Sequence, residues 1–190
     1  MTVLNGNSVA EKYREDLKSE IRDLRKKGIE PTIAPILVGE DPGAEIYFRQ
    51  KKKLAEEIDV NFSGLKLPAE TGEKKLMDSI NELNKDPEIH GLFVELPLPG
   101  DLKIGNISSK IDPRKDVDCI NPASAGELVA GGAARKGYRQ LKNDPEVLLP
   151  ATPYGVMELL SSYEIGLEGR EVTLVGGGAN GLPLALLILR

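Results

Sequence analysis

Short apolar runs alternate with helix-like segments along the chain, and this alternation limits the possible folds more than any other feature. The runs at 32–38 and 91–95 are bounded by Pro or Gly and are almost free of charge. Such runs are typical of strands buried on both faces. Apolar residues recur at helical spacing in 43–58 and from Leu76 to Leu83. The order of elements therefore predicts βαβ units, a largely parallel sheet and the α/β fold class.

Local signals predict the remaining elements. Ser8–Glu11 is a capping box that opens a first helix, and Gly28 supplies its stop. Thr152 is a candidate N-cap for a later helix, with Pro153 at its first position. The other predicted elements are strands at 62–68 and 171–175 and a helix over LPLALLILR.

Changes in composition and apolar periodicity along the chain predict three regions. Residues 1–125 contain the alternating elements and form the first predicted domain. Residues 126–150 are predicted to be a linker or insertion, because 130–146 is small, polar and charged without an apolar period, which is typical of a surface segment. Residues 151–190 contain only helix, strand, glycine loop and helix, which is too little to close a core. We therefore expect them to be the opening of a second, incomplete domain.

Composition excludes several classes of function. The chain has 25 Lys and Arg against 30 Asp and Glu, so its net charge of −5 opposes non-specific nucleic-acid binding. Its only cysteine, Cys119, and its only histidine, His90, rule out an internal disulfide and a Cys- or His-based metal site. We expect both residues to be buried and structural. With no apolar run of about 18 residues and no signal peptide, the expectation is a cytoplasmic protein without membrane contact.

Lys51 stands in an unusual position on the second predicted helix. Its spacing places it on one face with Tyr47, Leu54 and Ile58, which are aromatic or apolar. Burial disfavours a charged amine, so a lysine facing inward would be a usable proton-transfer group. The alternative is that the Lys51 side chain extends past its neighbours into solvent, as most helical lysines do.

Glu95 follows the second predicted strand directly. Ligands of open α/β sheets bind at the carboxyl ends of the strands, so this position favours a functional role. Pro97 and Pro99 stiffen the loop after Glu95 and would hold a flat ligand. The alternative is an ordinary turn in which Glu95 is solvated.

Two aspartates flank Val117 in the segment KDVDC. In an extended segment, Asp116 and Asp118 would lie on one side. A metal site is disfavoured there because no third type of ligand is near, and the prediction is that no metal is bound. One carboxylate could instead accept two N–H bonds from a ring edge. Turn formation by aspartate remains the structural alternative.

The glycine-rich segment GGGANG matches G-x-G-x-x-G between a predicted strand and a predicted helix. This context is typical of loops that bind a dinucleotide pyrophosphate at a helix N-terminus. The candidate cofactor-binding residues are Gly176, Gly177, Gly178 and Gly181.

Several stretches together resemble the bifunctional methylenetetrahydrofolate dehydrogenase/cyclohydrolase family. They are, in order, ILVGEDPGAEIYFRQKKKLAEEI, HGLFVELPLPGDL, KDVDCINPASAGEL, LPATPYGVMELL and GREVTLVGGGANGLPLA. The resemblance implies an N-terminal αβα folate-binding catalytic domain, followed by the opening of a Rossmann-like dinucleotide-binding domain. It implies interconversion of methylene-, methenyl- and formyl-tetrahydrofolate in one-carbon metabolism. It also implies that the chain stops before most of the nucleotide-binding domain.

The resemblance also implies roles for individual residues. Lys51 matches the lysine central to methenyl hydrolysis, with Glu95 beside it, and Tyr47 matches the tyrosine that lines the folate. Asp118 matches the aspartate that holds the pterin, and the proline pair lies in the substrate loop. The pterin edge presents an N–H and an amino group side by side, which suits one carboxylate. The implied cofactor is NADP, the implied substrates are tetrahydrofolate derivatives, and the full-length form is implied to be a homodimer.

The sequence departs from the family pattern at four places. Glu95 replaces the usual Gln, Cys119 replaces Gly, and Ala151 replaces Cys. The glycine loop lacks the usual Arg and Ser and is one residue shorter, so NAD is an alternative to NADP. A carboxylate at Glu95 favours a charged lysine and opposes its use as a base. Because most of the redox domain is missing, a non-catalytic folate-binding module or inactive fragment is the alternative to an enzyme.

Overall fold

Four ranges of the chain are described by the computed structural model. They are residues 3–131, 138–144, 147–178 and 180–189. Contacts divide the chain into two compact units, one formed by Tyr13–Asp116 and the other by Met1–Lys12 with Val117–Arg190. The predicted boundaries at 125 and 150 stay predictions.

The helices and strands of the N-terminal part alternate as predicted. In chain order they are α1 (Gly6–Lys26), β1 (Thr32–Val38), α2 (Pro42–Glu57), β2 (Asn61–Phe62), β3 (Leu65–Leu67), α3 (Glu73–Lys85), β4 (Gly91–Val94) and α4 (Ile104–Ser108).

The sheet is parallel throughout, which confirms the predicted α/β class. Strand β1 is central and pairs with β2 and β3 along one edge and with β4 along the other. Ile36 of β1 lies level with Leu65 and with Val94. Its side chain is fully buried, as expected for a strand covered on both faces. Because all strands run in one direction, the carboxyl ends of β1 and β4 lie at the same edge of the sheet.

Helix α1 begins earlier than its capping signal predicts. It starts at Gly6, and the side-chain oxygen of Asn5 accepts a hydrogen bond from the backbone N–H of Asn7 at 3.0 Å. Ser8 donates its hydroxyl to the Asn5 carbonyl instead of capping the helix. The capping-box prediction was wrong because Asn5, an equally good capping residue, precedes it. The predicted stop is confirmed, since Gly28 has a φ of 79°.

The single strand predicted at 62–68 is interrupted. Ser63 and Gly64 separate β2 from β3, although both strands pair with β1 in the same register. The ring of Phe62 packs edge-on against that of Phe48, with 5.1 Å between the ring centroids. A Cβ atom on Gly64 would overlap atoms of both rings. Glycine is therefore required here by the close approach of two aromatic side chains.

Gly64→Ala is expected to lower the free energy of unfolding by about 1–3 kcal/mol, the usual cost of overpacking. Urea denaturation followed by circular dichroism measures it. Gly105→Ala is the matched control, because a Cβ at Gly105 in α4 meets nothing within 4 Å. That variant should be neutral or slightly more stable. Equal stabilities of the two variants would contradict the assigned role of Gly64.

The second unit is mainly helical. Its elements after residue 116 are α5 (Pro122–Gly126), a π-helix (Glu127–Gly131), α6 (Tyr138–Lys142), α7 (Ala151–Ser162) and α8 (Gly181–Ile188).

The insertion predicted at 130–146 contains part of this unit's core. Tyr138 and Leu141 are buried and pack in one cluster with Leu128, Met157 and Leu187. The prediction of a surface segment was wrong here, because a helix of five residues is too short to show an apolar period. Residues 132–137 and 145–146 lie outside the described ranges.

The signal for the start of α7 was also misplaced. The helix begins at Ala151, and the backbone N–H of Tyr154 donates to the carbonyl of Pro150 at 2.9 Å. Thr152 therefore lies inside the helix rather than at its N-cap. The N-cap position is occupied by Pro150, whose side chain has no atom that can cap the helix.

The strand predicted at 171–175 is not formed. The segment is irregular, and Val175 is 97% exposed. A strand acquires its hydrogen bonds from a neighbouring strand, and the sheet found in the described residues contains only β1 to β4. The helix predicted after the glycine loop is confirmed as α8. The segment 171–175 thus has the apolar pattern of a strand, but in the described residues no neighbouring strand pairs with it.

Cys119 has a backbone conformation that favours glycine. Its φ is 52°, in the left-handed region, and its side chain is buried as predicted. This explains why glycine suits the position after KDVD, where Cys119 stands instead.

Cys119→Gly is expected to be more stable than Cys119→Ala by about 1 kcal/mol, because a Cβ is costly at positive φ. Thermal unfolding of the two variants measures the difference. The comparison removes the thiol in both cases, so lost side-chain contacts weigh little. The order should be reversed at Gly105, where alanine is the better helix residue. A less stable glycine variant at position 119 would refute this assignment.

Candidate functional site

Lys51 and Glu95 form an ion pair at the carboxyl edge of the sheet. Glu95 directly follows β4, and its backbone N–H donates to the Ile36 carbonyl of β1 at 2.8 Å. Its side chain is buried, with 5% of the residue exposed. The amine of Lys51, on α2, lies 2.9 Å from each carboxylate oxygen of Glu95. The structure thus brings the two predicted catalytic residues into direct contact.

This contact rules out the solvated placement that the sequence left open for both side chains. Lys51 does not extend freely into solvent, although its side chain is 38% accessible. Glu95 is not a solvated turn residue. A buried carboxylate is stable only when paired or hydrogen-bonded, and the Lys51 amine supplies both interactions.

The ring of Phe93 also contacts the Lys51 amine. The amine nitrogen lies 4.3 Å from the centroid of the Phe93 ring, within the range of a cation–π contact. Phe93 was not among the residues predicted from the sequence. The available signal was its place two residues before Glu95, since residues i and i+2 of a strand lie on the same face.

Tyr47 lies one helical turn before Lys51 and is 62% exposed. The stripe predicted from Tyr47, Lys51, Leu54 and Ile58 is therefore not a buried face. The buried residues of α2 are Ala44, Phe48 and Ala55. The prediction failed because this helix covers the sheet with its small residues and Phe48. The exposed ring of Tyr47 remains accessible to a ligand next to Lys51.

The proline loop borders an open cavity of about 430 Å³. Pro97 is one of its lining residues, and the peptide bond before it is cis. Pro99 lies against the turn after β1, because its ring is 3.5 Å from the position of a Cβ on Gly39. The lining residues are Leu96, Pro97, Leu98, Leu102 and Ile104. The loop after Glu95 therefore offers an apolar surface.

The KDVD segment is not extended as predicted. Asp116 is fully buried and forms an isolated parallel bridge with Leu92 of β4, and the chain then turns at 117–118. The amine of Lys115 donates to the carbonyls of Leu83 at 3.1 Å and Asp86 at 2.6 Å. These two hydrogen bonds hold Lys115 against the end of α3. A turn, rather than a strand, follows in the chain. Asp118 is half-buried and belongs to the second unit.

The glycine loop before α8 has part of what a dinucleotide site requires. Gly176 has a φ of 111°, and its carbonyl oxygen is so close to Gly181 that a Cβ there would overlap it. Both positions therefore require glycine. A pyrophosphate site of this type also needs the strand that leads into the loop, and 171–175 is not a strand. In the described residues, which exclude position 179, the loop thus has the glycines of such a site but lacks the strand that would lead into it.

His90 is exposed, contrary to the prediction that it packs in the core. It lies just before β4, where its ring nitrogen Nδ1 accepts a hydrogen bond from the Thr32 backbone N–H at 3.3 Å. The ring makes this contact because β1 and β4 start side by side, and not because it is buried. In the described ranges, no three His, Cys, Asp or Glu side chains are grouped as metal ligands. No helix in those ranges is both long and apolar enough to cross a membrane.

A second polar cluster lies in the helical unit and was not predicted. Glu158 is 5% exposed and accepts hydrogen bonds from the Tyr138 hydroxyl at 2.5 Å and the Lys142 amine at 2.6 Å. Burial raises the pKa of the Glu158 carboxyl above its usual value and also raises the pKa of Tyr138. The three residues join α6 to α7, which is a structural role. Tyr138 and Lys142 lie 20 and 16 positions before Glu158, and no sequence pattern links residues at these separations.

The sequence of this chain is similar to those of known proteins. A model of the catalytic domain of tetrahydrofolate dehydrogenase/cyclohydrolase matches residues 4–118. The bifunctional protein FolD 2 of Geobacter sulfurreducens is 38% identical over 190 residues, which are 100% of this chain and 62% of that protein. The FolD of Halalkalibacterium halodurans is 39% identical over 98% of this chain and 63% of its own length.

Solved structures agree with these matches. The bifunctional FolD enzyme of Campylobacter jejuni superposes with a TM-score of 0.89 at 36% identity, over 100% of this chain and 63% of that one. The Trypanosoma brucei relative, solved with NADP cofactor and an inhibitor, gives 0.88 at 30% identity over 99% and 61%. The chain thus spans somewhat under two thirds of the length of these relatives. On the extent of the match and the shared parallel sheet, it belongs to the tetrahydrofolate dehydrogenase/cyclohydrolase family.

Proposed function

We propose that this chain carries the folate-binding and hydrolytic site of a methylenetetrahydrofolate dehydrogenase/cyclohydrolase. The observation that carries the proposal is the Lys51–Glu95 pair at the carboxyl edge of the sheet, with 2.9 Å between the amine and each carboxylate oxygen. Such a pair costs more to bury than apolar side chains, so its presence at the edge where ligands bind favours a role in chemistry.

Hydrolysis of a methenyl-tetrahydrofolate needs three proton movements. Water adds to the cationic carbon and loses one proton to solvent. When the five-membered ring opens, the bond between that carbon and the ring nitrogen breaks, the hydroxyl proton leaves as the formyl carbonyl forms, and the ring nitrogen gains a proton. The Lys51 amine supplies a donor that becomes an acceptor once its proton has left. Two of the three N–H groups of the ammonium donate hydrogen bonds to Glu95. The third N–H group is left for substrate or water.

The other predicted site residues suit recognition of a folate. Tyr47 presents an exposed ring next to Lys51, on which a flat ligand can stack. Pro97 and Pro99 provide a stiff apolar loop. Asp118 would accept the N–H and amino group of the pterin edge in a bidentate, charge-assisted pair. These roles rest on the family match together with the types of side chain present.

The dinucleotide half of the reaction is a separate proposal. Gly176, Gly177, Gly178 and Gly181 are the candidates for contact with the pyrophosphate of NADP or NAD, because they match the glycine pattern before α8. The Trypanosoma brucei relative was solved with NADP. The loop of this chain lacks an arginine, which leaves the choice between the two dinucleotides open.

The test is direct hydrolysis of 5,10-methenyltetrahydrofolate by the purified 190-residue chain, followed through the absorbance of the substrate. Calorimetric titration with 5-formyltetrahydrofolate, a stable analogue, measures binding in parallel. Hydrolysis above the buffer rate together with binding supports the proposal. Binding without hydrolysis would instead support a folate-binding module, which the Glu95 substitution favours. Absence of both in a folded sample would overturn the proposal.

Asp118→Ala is expected to weaken binding of the analogue by about 1.5–3 kcal/mol, because a hydrogen bond to a charged group is lost. Calorimetry at constant ionic strength measures the change. Asp78→Ala is the matched control, since Asp78 is on the surface of α3 and pairs with Lys74 at 3.0 Å. An unchanged affinity in the Asp118 variant would make that residue a turn-forming residue only.

A further inference from the structure

Phe93 lies beneath the Lys51–Glu95 pair and is the aromatic residue of β4. It is 5% exposed, and its neighbours in the strand, Leu92 and Val94, are aliphatic. Strand alternation places Phe93 on the same face as Glu95, two residues later. The ring centroid lies 4.3 Å from the Lys51 nitrogen. The amine therefore has two partners supplied by one short stretch of chain.

The two partners restrain the amine in different ways. Glu95 holds it through both carboxylate oxygens, each 2.9 Å away. The face of an aromatic ring carries negative charge density and attracts a cation without forming a directional hydrogen bond. An aliphatic residue would fill the same space without this attraction. A lysine side chain has four rotatable bonds, and holding its end from two sides removes most of that freedom before a ligand arrives.

We infer that Phe93 is a positioning residue, whose ring holds the charged Lys51 amine against Glu95 and so presents it in one place at the site. The inference rests on the proposed function for its consequence in hydrolysis, but the arrangement itself can be tested without folate. The prediction concerns the ring and not the bulk of Phe93, which a substitution series separates.

The direct test is competitive acetylation of the 190-residue chain with acetic anhydride, with the rate at each lysine read by peptide mass spectrometry. Acetylation needs a free, uncharged amine, so a held ammonium reacts slowly. Lys52 and Lys53 are internal controls on the same helix, and the Lys52 side chain is 57% exposed. Lys51 should react more slowly than both. In Phe93→Leu its rate should rise about two- to fivefold, the range expected for an exposed cation–π contact.

Further variants separate the ring from packing. Phe93→Tyr keeps an aromatic face and should keep the slow rate at Lys51. Phe93→Met fills similar space without a ring and should behave like the leucine variant. If unfolding were the cause, the rates at Lys52 and Lys53 would rise together with that at Lys51. An unchanged Lys51 rate in both the leucine and the methionine variants would overturn the inference.

The consequence for hydrolysis gives a second readout. If the chain hydrolyses 5,10-methenyltetrahydrofolate, Phe93→Leu should lower kcat more than it raises KM, because a misplaced amine affects the chemical step first. Phe93→Tyr should restore kcat. Failure of hydrolysis in the unmodified chain would count against the proposed function alone, whereas the acetylation rates would still decide the role of Phe93.

Discussion

Lys51→Met is expected to slow hydrolysis of 5,10-methenyltetrahydrofolate by about 10²-fold or more. This is the contribution typical of a positioned general acid–base group. Methionine keeps most of the length and apolar volume of the lysine but can neither donate nor accept a proton. The variant also leaves the buried Glu95 carboxylate without its amine partner, so its stability must be measured together with its rate. The initial rate at saturating substrate is the measurement.

Two variants control this experiment. Lys53→Met changes an exposed lysine on the same helix and should leave the rate unchanged. A double variant, Lys51→Met with Glu95→Gln, removes the unpaired carboxylate and should recover stability without recovering hydrolysis. Hydrolysis at the unmodified rate in a folded Lys51→Met variant would show that another group moves the proton.

The second large effect concerns hydride transfer. The 190-residue chain is expected to oxidise 5,10-methylenetetrahydrofolate with NADP or NAD at well below about 1 s⁻¹, at the low end of the ordinary enzyme range. Hydride transfer requires the two carbon centres to be held about 3–3.5 Å apart. A dinucleotide is held that way by strands on both sides of a switch point, with the glycine loop at the end of one strand. In the described residues, 171–175 is irregular and Val175 is 97% exposed.

The measurement is the appearance of reduced dinucleotide, with NADP and NAD tested separately. Calorimetric titration with each dinucleotide gives the affinity, which should be too weak for saturation at millimolar concentration. Folate binding in the same sample shows that the first unit is folded. Turnover above about 1 s⁻¹ would show that the loop binds the dinucleotide without a supporting strand, and our account of the loop would then be wrong.

The contrast between the two units explains why these expectations differ. In the first unit, β1 is buried and flanked on both edges, and Glu95 directly follows β4, which pairs with β1 and forms a bridge with Asp116. In the second unit, the glycine loop follows a segment without strand pairing. A site that needs positions accurate to fractions of an ångström is served by the first kind of support and not by the second.

The sequence by itself determined the elements with long-range periodicity or strong punctuation. The apolar runs predicted β1 and β4, and helical spacing predicted α2 and α3, because burial imposes these patterns on any chain. Gly28 marked the end of α1 for a local steric reason. Helical spacing singled out Lys51, its place after a strand singled out Glu95, and the resemblance of several motifs in order was enough to indicate the family.

Only the tertiary structure decided the features that depend on residues distant in the chain. Lys51 and Glu95 are 44 positions apart, and their contact exists because α2 packs beside the edge where β4 ends. The same is true of Phe93 beneath the amine and of Glu158 between Tyr138 and Lys142. The segment 171–175 shows the converse case. Its apolar pattern predicts a strand, but a strand exists only where a neighbour supplies its hydrogen bonds, and that is a property of the fold rather than of the segment.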